Sequence, residues 1–300
     1  MCLFPIWISN KKYTGYVPCG KCAECIEKRS VDLKFRAEQE FKQCHNAFFL
    51  TLTYSDSNLP LHGDLPVLNK KDVQLFLKRI RKKYGSVRYF SLGEYGPTTH
   101  RPHYHLMLFF QSPVSEKSFW EFKDSIAKLW NLGFITMDEL NYNRIQYTVG
   151  YMCPISDLSD EYRDFPPFCT FSLGFGRGYL TDNRKDFYRG LLKDAPSVRK
   201  PPVCYLQDKY KMALPRYYRS RIYTASEKEE VKHCFKDDFK RKVQEEARLS
   251  DEFQQHLIDL DYEGRNQKLY RESYFVARKR INELVNSEKR KQKFIKKRKL

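Results

Sequence analysis

The sequence predicts an α+β fold in which helices pack on one face of an antiparallel sheet. Apolar residues alternate in segments such as Phe48–Tyr54 and His103–Phe110, and this alternation is typical of strands. They recur at every third or fourth position in segments such as Val73–Tyr84, and this spacing is typical of amphipathic helices. The predicted order is helix, strand, helix, strand, strand, helix, strand, which fits helices segregated to one side of an antiparallel sheet.

The first predicted helix starts near Glu24 and runs toward Cys44. The strand after it, Phe48–Tyr54, carries β-branched and aromatic residues on both faces, which favours an interior position in the sheet. A second helix follows a loop; Asn69 can cap its start, and Gly85 ends it.

Two further strands are predicted at Val87–Leu92 and around His103–Phe110. A third helix follows, with apolar residues from Phe119 to Trp130, and then a strand near 134–140. Asn143 and Gln146 have the spacing of a capping box, so a fourth helix is expected to start there and to end before Pro154.

Charge and composition indicate a nucleic-acid partner. The 300 residues contain 55 Lys and Arg against 37 Asp and Glu, a formal net charge of +18, and 15% of them are aromatic. Basic side chains attract phosphates, and flat side chains stack on bases. No apolar run approaches the ~20 residues of a spanning helix, and Met1–Asn10 has no basic segment ahead of its apolar residues. We therefore expect a soluble, intracellular protein without a membrane partner.

The segment from His100 to Phe110 contains the first candidate site. In a strand, His103 and His105 share one face, so their imidazoles converge. Glu94 follows a strand-like segment nine residues earlier, and a hairpin would bring it beside them. Two imidazoles and a carboxylate form a mixed site that suits Mg²⁺ or Mn²⁺. The alternative is a half-buried strand whose histidines face solvent, with Glu94 as a solvated turn residue.

A second candidate site lies on the fourth predicted helix. Tyr147 and Tyr151 are one turn apart and lie away from the apolar stripe of Ile145, Val149 and Met152, which favours their exposure toward a site. Tyrosine is a weak nucleophile near neutral pH because its pKa is about 10. A metal ion that polarises a phosphodiester can compensate, and attack then yields a phosphotyrosine ester.

Three cysteines form a third candidate site. Cys19, Cys22 and Cys25 have C-x₂-C-x₂-C spacing, which could wrap one structural Zn²⁺. A fourth ligand could come from Cys2, Cys44, His45 or Cys153. Equally, the segment could be a turn whose cysteines act as small apolar residues. The odd total of nine cysteines, without a secretory signal, does not indicate a disulfide framework.

The remaining segments are less informative. The glycine-rich stretch 171–179 could cradle a phosphate in its backbone amides, or could be an ordinary flexible loop. Residues 227–288 are charged and have a helical pattern. In 289–299, eight of eleven residues are Lys or Arg, so we expect a disordered tail that binds phosphates without sequence preference.

Together, these motifs resemble those of a known superfamily. Its members are the HUH rolling-circle replication initiators, and the motifs are Phe48–Tyr54, Gly93–Gly96, Arg101–Leu108 and the pair Tyr147 and Tyr151. The segments starting at Pro18 and Leu214 look like those of gokushovirus-type microvirus phages in particular. Initiators with two tyrosines often carry Lys just before the second tyrosine. This chain has Gly150 there, so that role falls elsewhere, such as to Arg144, or is dispensable.

The resemblance implies an RRM-like endonuclease core at 46–223, with a Cys-rich segment and helix before it at 1–45 and a helical, basic extension after it at 224–300. It implies a divalent metal on His103 and His105, with Glu94 as third ligand, and Tyr147 and Tyr151 as nucleophiles. The expected activity is site-specific nicking and rejoining of single-stranded DNA through a 5′-phosphotyrosine link.

The expected partners are single-stranded DNA at the replication origin and the host helicase and polymerase, in the host bacterial cytoplasm. The alternatives are a relaxase or transposase with the same core, and a non-catalytic protein that binds single-stranded nucleic acid.

Overall fold

The computed structural model describes residues 6–10, 13–20, 23–150, 160–193 and 200–234. The strands are β1 (Ile6–Asn10), β2 (Tyr13–Val17), β3 (Asn46–Tyr54), β4 (Leu61–His62), β5 (Leu65–Pro66), β6 (Val87–Tyr95), β7 (Pro102–Phe110), β8 (Gly133–Glu139), β9 (Phe168–Phe171), β10 (Val203–Leu206) and β11 (Tyr210–Ala213). The α-helices are α1 (Ala23–Phe41), α2 (Lys70–Tyr84), α3 (Phe119–Leu129), α4 (Tyr142–Gly150), α5 (Asp182–Gly190) and α6 (Arg216–Ile222), and residues 225–234 are also helical.

The chain divides into two compact units, one ending at Tyr179 and the other beginning at Leu180. The first unit is built on a five-stranded sheet with the order β8-β3-β7-β6-β9, and every neighbouring pair is antiparallel. The predicted α+β class with an antiparallel sheet is confirmed, and β3 has the interior position expected for it. The finer assignment of this unit as RRM-like stays a prediction.

Helices cover both faces of this sheet, so the prediction of helices on one face was wrong. On one face, the core includes Leu106 and Leu108 of β7 together with apolar residues of α2 and α3. On the opposite face, Met107 and Phe109 of β7 pack with apolar residues of α1 and α4. The physical reason is that β3 and β7 are apolar on both faces at this end of the sheet, and two apolar faces need two covering layers.

Helix α4 starts earlier than its sequence pattern predicted. The side chain of Asn141 accepts a hydrogen bond from the backbone N–H of Arg144 at 2.9 Å, and the helix begins at Tyr142. Asn141 therefore caps the helix, whereas Asn143 lies inside its first turn. The stripe of Ile145 and Val149 is buried as predicted.

Three buried tyrosines fasten the strands of the predicted site to the segment that precedes α2. The hydroxyl of Tyr104 accepts a hydrogen bond from the backbone N–H of Asn69 at 2.8 Å, and that of Tyr95 accepts one from Leu68 at 3.0 Å. Tyr54 contacts the Tyr104 hydroxyl at 2.8 Å and donates to the Asp72 carboxylate at 2.7 Å. Strands β3, β6 and β7 are thus held by one network on the face with α2 and α3.

The glycine-rich segment 171–179 is a packed loop in this structure, neither a phosphate cradle nor a flexible connection. Phe175 is fully buried, and its carbonyl accepts a hydrogen bond from Arg36 Nε at 2.8 Å. The backbone N–H of Gly176 donates to the buried carboxylate of Glu40, which also receives two hydrogen bonds from Arg88 at 2.7 Å each. Because a carboxylate already occupies that amide, it is not free to bind phosphate.

The second unit contains α5, the β10–β11 hairpin and α6. The hydroxyl of Tyr188 on α5 donates to the carbonyl of Val203 at 2.9 Å, and Arg189 Nε donates to the carbonyl of Ile222 at 2.9 Å. Leu214 and Tyr218 are fully buried. Most of the charged extension predicted at 224–300, including its basic tail, lies outside the described residues. Among the helices that the structure describes, none combines the length and the apolar character needed to cross a membrane.

Candidate metal centre and active site

The β6–β7 hairpin brings the three predicted ligands together. Glu94 is paired directly with His103, and His105 lies two residues along the same strand. Glu94 Oε1 is 3.1 Å from Nε2 of both His103 and His105. One ligand atom from each residue lies within 4.8 Å of the others, so the group could hold a metal ion. The predicted hairpin is confirmed, and it replaces the turn expected at Glu94 with strand.

The spacing of these atoms fits a small octahedral cation. Bonds of about 2.1 Å at right angles place neighbouring ligand atoms about 3 Å apart, which is close to the 3.1 Å between Glu94 Oε1 and each imidazole Nε2. The two imidazoles are 19% and 14% exposed, so the site is open to solvent on one side. Three protein ligands on one side leave the opposite positions for water or phosphate oxygens.

Hydrogen bonds at the far side of each ring orient the imidazoles. Nδ1 of His105 is 3.0 Å from the hydroxyl of Thr51, and Nδ1 of His103 is 3.3 Å from the backbone carbonyl of Arg101. A carbonyl only accepts, so His103 donates from Nδ1, which leaves its Nε2 toward Glu94. Such partners fix the ring orientation and the tautomer of metal-binding histidines.

The charge state of Glu94 suits a cation ligand. Burial opposes its ionisation, but hydrogen bonds from His103 and His105 and their charges outweigh burial and lower the pKa of Glu94 to about 2. Glu94 is therefore a carboxylate throughout the physiological pH range, ready to accept a metal ion.

Gly93, beside Glu94, has a steric requirement. A side-chain carbon on Gly93 would lie 2.8 Å from Cε1 of the Phe168 ring, which packs on this position from the opposite face. Only glycine lets β9 approach β6 here, and this approach holds the strand that carries Glu94.

Helix α4 lies on the same sheet face as the two imidazoles. Its residues Ile145 and Val149 pack in the core that contains Met107, which shares the histidine face of β7. The Phe49 ring stacks on His105 with centroids 5.6 Å apart, and the Arg144 guanidinium lies over Phe49 at 5.6 Å. Contacts thus connect the metal cluster to α4 through one phenylalanine.

The first predicted nucleophile is exposed on this helix. Tyr147 follows Arg144 by about one turn, lies off the apolar stripe and is 50% exposed. Tyr151, the second predicted nucleophile, lies outside the described residues. The buried tyrosines of the motif strands are unsuited to attack, because burial raises the pKa of Tyr54 and raises that of Tyr104 to about 12.

Sequence reasoning missed Thr51 and Phe49 as parts of this site. Both lie in the predicted strand Phe48–Tyr54, on the face that includes Thr53. The alternation shows that they share a face, but it does not show which strand lies beside β3. The pairing of Thr51 with His105 is a long-range register that local sequence patterns do not contain.

Removing the Thr51 hydroxyl is expected to weaken metal binding. Thr51→Val keeps the branched shape but loses the hydrogen bond to His105 Nδ1, and loss of such a partner typically costs about 10- to 100-fold in metal affinity. Titration calorimetry with Mn²⁺ measures this change. Thr53→Val is the matched control, since its hydroxyl contacts a backbone carbonyl rather than a ligand. Equal Mn²⁺ affinity in both variants would refute the orienting role of Thr51.

The cysteine site is described only in part. Cys22 lies outside the described residues, and so do Cys2 and Cys153, whereas Cys19 and Cys25 are partly buried. Cys44, another possible fourth ligand, donates from Sγ to the carbonyl of Phe41 at 3.3 Å, and burial raises its pKa to about 11. Structural zinc on Cys19, Cys22 and Cys25 stays a prediction.

Elemental analysis tests this zinc site. If the three cysteines bind Zn²⁺, the purified protein will contain about one equivalent, and a chelator will lower its melting temperature because site formation contributes to folding. Cys19→Ser is expected to lose the metal, and Mg²⁺ is not expected to restore the melting temperature. Protein prepared under reducing conditions without zinc would instead show that these cysteines are small apolar residues.

Comparisons with known proteins agree with the motifs. Residues 47–154 match a family model described as replication-associated protein ORF2, and this span contains the metal cluster and both candidate tyrosines. The resemblance to replication proteins of gokushovirus-type microviruses is confirmed by three curated relatives.

The chain is 29% identical over 287 residues to replication-associated protein ORF2 of Spiroplasma virus 4, covering 86% of this chain and 84% of that protein. It is 30% identical over 159 residues to replication-associated protein ORF4 of Chlamydia phage 1, covering 47% of this chain and 39% of that protein. It is 26% identical over 229 residues to replication-associated protein VP4 of Bdellovibrio phage phiMH2K, covering 69% of this chain and 71% of that protein.

Proposed function

We propose that this relative of phage replication-associated proteins is a metal-dependent endonuclease and strand transferase for single-stranded DNA. In this proposal it starts and ends rolling-circle replication by nicking and rejoining DNA at the origin. The observation that carries the proposal is the convergence of Glu94, His103 and His105 on the sheet face that also supports α4 with its exposed Tyr147.

Glu94, His103 and His105 would hold Mg²⁺ or Mn²⁺, which when bound polarises the scissile phosphodiester and neutralises charge that develops on it. Three neighbouring ligand atoms on one side direct the open coordination positions away from the sheet. The imidazoles are oriented by Thr51 and the Arg101 carbonyl, so little reorganisation is needed when DNA arrives.

The proposed nucleophiles are Tyr147 and Tyr151. The hydroxyl oxygen attacks the scissile phosphorus, a P–O bond to tyrosine forms, and the P–O3′ bond breaks. The tyrosine proton is lost to solvent and one returns to the leaving O3′, which becomes a 3′-hydroxyl that serves as a primer. The 5′ end stays on the protein as a phosphotyrosine ester, and this ester conserves the energy of the broken strand for rejoining.

Two tyrosines one turn apart allow a second cleavage after one round of synthesis. The second hydroxyl cuts the regenerated origin, and the released 3′-hydroxyl attacks the first phosphotyrosine, which closes a unit-length circle. In this proposal the host helicase separates the strands, the host polymerase extends the primer, and the reaction takes place in the host cytoplasm. Arg144, which lies over Phe49 beside His105, would contact the DNA backbone.

A covalent-adduct assay tests the proposal. The protein is incubated with labelled circular single-stranded phage DNA and Mn²⁺, then denatured and separated by electrophoresis. A labelled protein band that requires Mn²⁺ is expected, together with linear DNA that carries a free 3′ end. Binding without any adduct, in the presence of Mn²⁺ or Mg²⁺, would favour the non-catalytic nucleic-acid-binding alternative.

A further inference from the structure

The sheet face that carries the metal cluster is covered over only part of its length. Helices α1 and α4 pack against the part that includes Phe49, Met107 and Phe109. Further along the strands, the same face presents Thr53 of β3, which is partly exposed, and Phe134 of β8, which is 70% exposed. A strip of open sheet therefore continues from the metal cluster to the edge strand.

The register places Phe134 in line with the metal ligands. Phe134 pairs with Thr53, Thr53 pairs with His103, and His103 pairs with Glu94. Directly paired residues point to the same face, and neighbouring strands are about 4.8 Å apart, so Phe134 stands about 10 Å from His103 along this row. The residue between them, Thr53, is short and leaves room above the sheet.

The surroundings of Phe134 fit a nucleotide better than a protein partner. On its face of the sheet, its neighbours are Thr53 across the strand pair and Thr136 two residues along β8, both with hydroxyls. Protein interfaces need an apolar centre of several residues, which this strip lacks. A nucleotide combines one flat base with a polar, anionic backbone, and the chain carries a formal charge of +18.

We propose that Phe134 is a base-stacking residue, and that single-stranded DNA crosses the open strip with a base on the Phe134 ring and a nearby phosphate at the metal cluster. This inference rests on the proposed function and deepens it by assigning the path of the DNA. Stacking on an aromatic side chain tolerates any base, so Phe134 contributes affinity and positioning of the strand without selecting its sequence.

The test compares two strands with equal numbers of phosphates. One is a labelled oligothymidylate, and the other is an abasic oligonucleotide of the same length, which offers no base to stack. Dissociation constants are measured by fluorescence anisotropy at one fixed salt concentration, without a divalent cation, so that cleavage plays no part. The variants are Phe134→Ala, which removes the ring, Phe134→Leu, which keeps apolar bulk, and Phe134→Trp, which keeps an aromatic plane.

Phe134→Ala and Phe134→Leu are expected to weaken oligothymidylate binding about 10-fold or more, with the affinity for the abasic strand unchanged. Phe134→Trp is expected to keep the wild-type preference for bases. The matched control is Trp120→Ala. Trp120 is 68% exposed, but lies on α3, whose buried residues pack against the opposite sheet face. Its removal is expected to leave both affinities unchanged.

Equal loss of affinity for both strands in Phe134→Ala, or no loss for either, would overturn the stacking role. The same holds if Trp120→Ala matches Phe134→Ala. These outcomes are independent of the covalent adduct, because binding is read without metal. If wild-type protein forms no adduct with Mn²⁺ but loses base preference on Phe134→Ala, the nuclease proposal fails while the stacking residue stands.

Discussion

Replacing His103 and His105 together by alanine is expected to abolish covalent attachment to DNA, with a fall of at least about 1000-fold in the cleavage rate. The metal ion contributes several kcal/mol to charge stabilisation in the transition state, and each 1.36 kcal/mol corresponds to a factor of about ten. DNA binding is expected to persist, because basic side chains elsewhere supply the phosphate contacts. The measurement is the rate of adduct formation with labelled single-stranded DNA, alongside Mn²⁺ titration and a DNA-binding curve.

Two controls sharpen this experiment. His62→Ala removes an imidazole that lies on the short strand β4, outside the metal cluster, and is expected to leave cleavage unchanged. Glu94→Ala is expected to reduce Mn²⁺ affinity more mildly than the double variant, since water can fill one position of an octahedral site. Metal-dependent nicking that survives in the double histidine variant would falsify the assignment of the metal centre.

Each single Tyr→Phe variant at 147 and 151 is expected to fail in releasing closed circles. Phenylalanine keeps the ring but loses the hydroxyl, so the fold should survive. After the first cleavage, a single remaining tyrosine is already esterified, and no second hydroxyl is available to cut the regenerated origin. One variant should also lose initial nicking, or both should nick weakly if the two tyrosines are interchangeable.

The decisive measurements are mass spectrometry of the DNA-linked peptide and a count of circles released per protein molecule. Tyr142→Phe is a suitable control, because this residue starts the same helix while its ring packs edge-on against Phe41 of α1. The two-tyrosine mechanism is wrong if the adduct forms on neither Tyr147 nor Tyr151, or if both single variants release circles at the wild-type rate.

Much of the candidate metal centre could be predicted because it depends on short-range geometry. The two-residue period of a strand places His103 and His105 on one face whatever the rest of the fold does. A hairpin of two nearby strands then brings Glu94 beside them, since the connection is only six residues long. The strands and first three helices are found close to their predicted positions for the same reason: their patterns are local.

The layers and the neighbours of the site could not be predicted in this way. Met107 and Phe109 continue the histidine face into a buried core, and the pattern of β7 alone does not show which helix covers it. The row that joins Phe134 to His103 depends on pairing between strands about 30 and 80 residues apart in sequence, β7 with β8 through β3. Register over such distances is set by the packed core as a whole.

The three buried tyrosines have a consequence for which ion the protein uses. Each motif strand presents its chemistry on one face, while Tyr54, Tyr95 or Tyr104 ties its other face to the segment before α2. The ligands are thus held in shape by the fold and need no ion to assemble them. The ion becomes a replaceable component, and with an open mixed set of nitrogen and oxygen ligands the occupant follows from cellular abundance. A phage protein built in this way can work with whichever small divalent cation its host keeps plentiful.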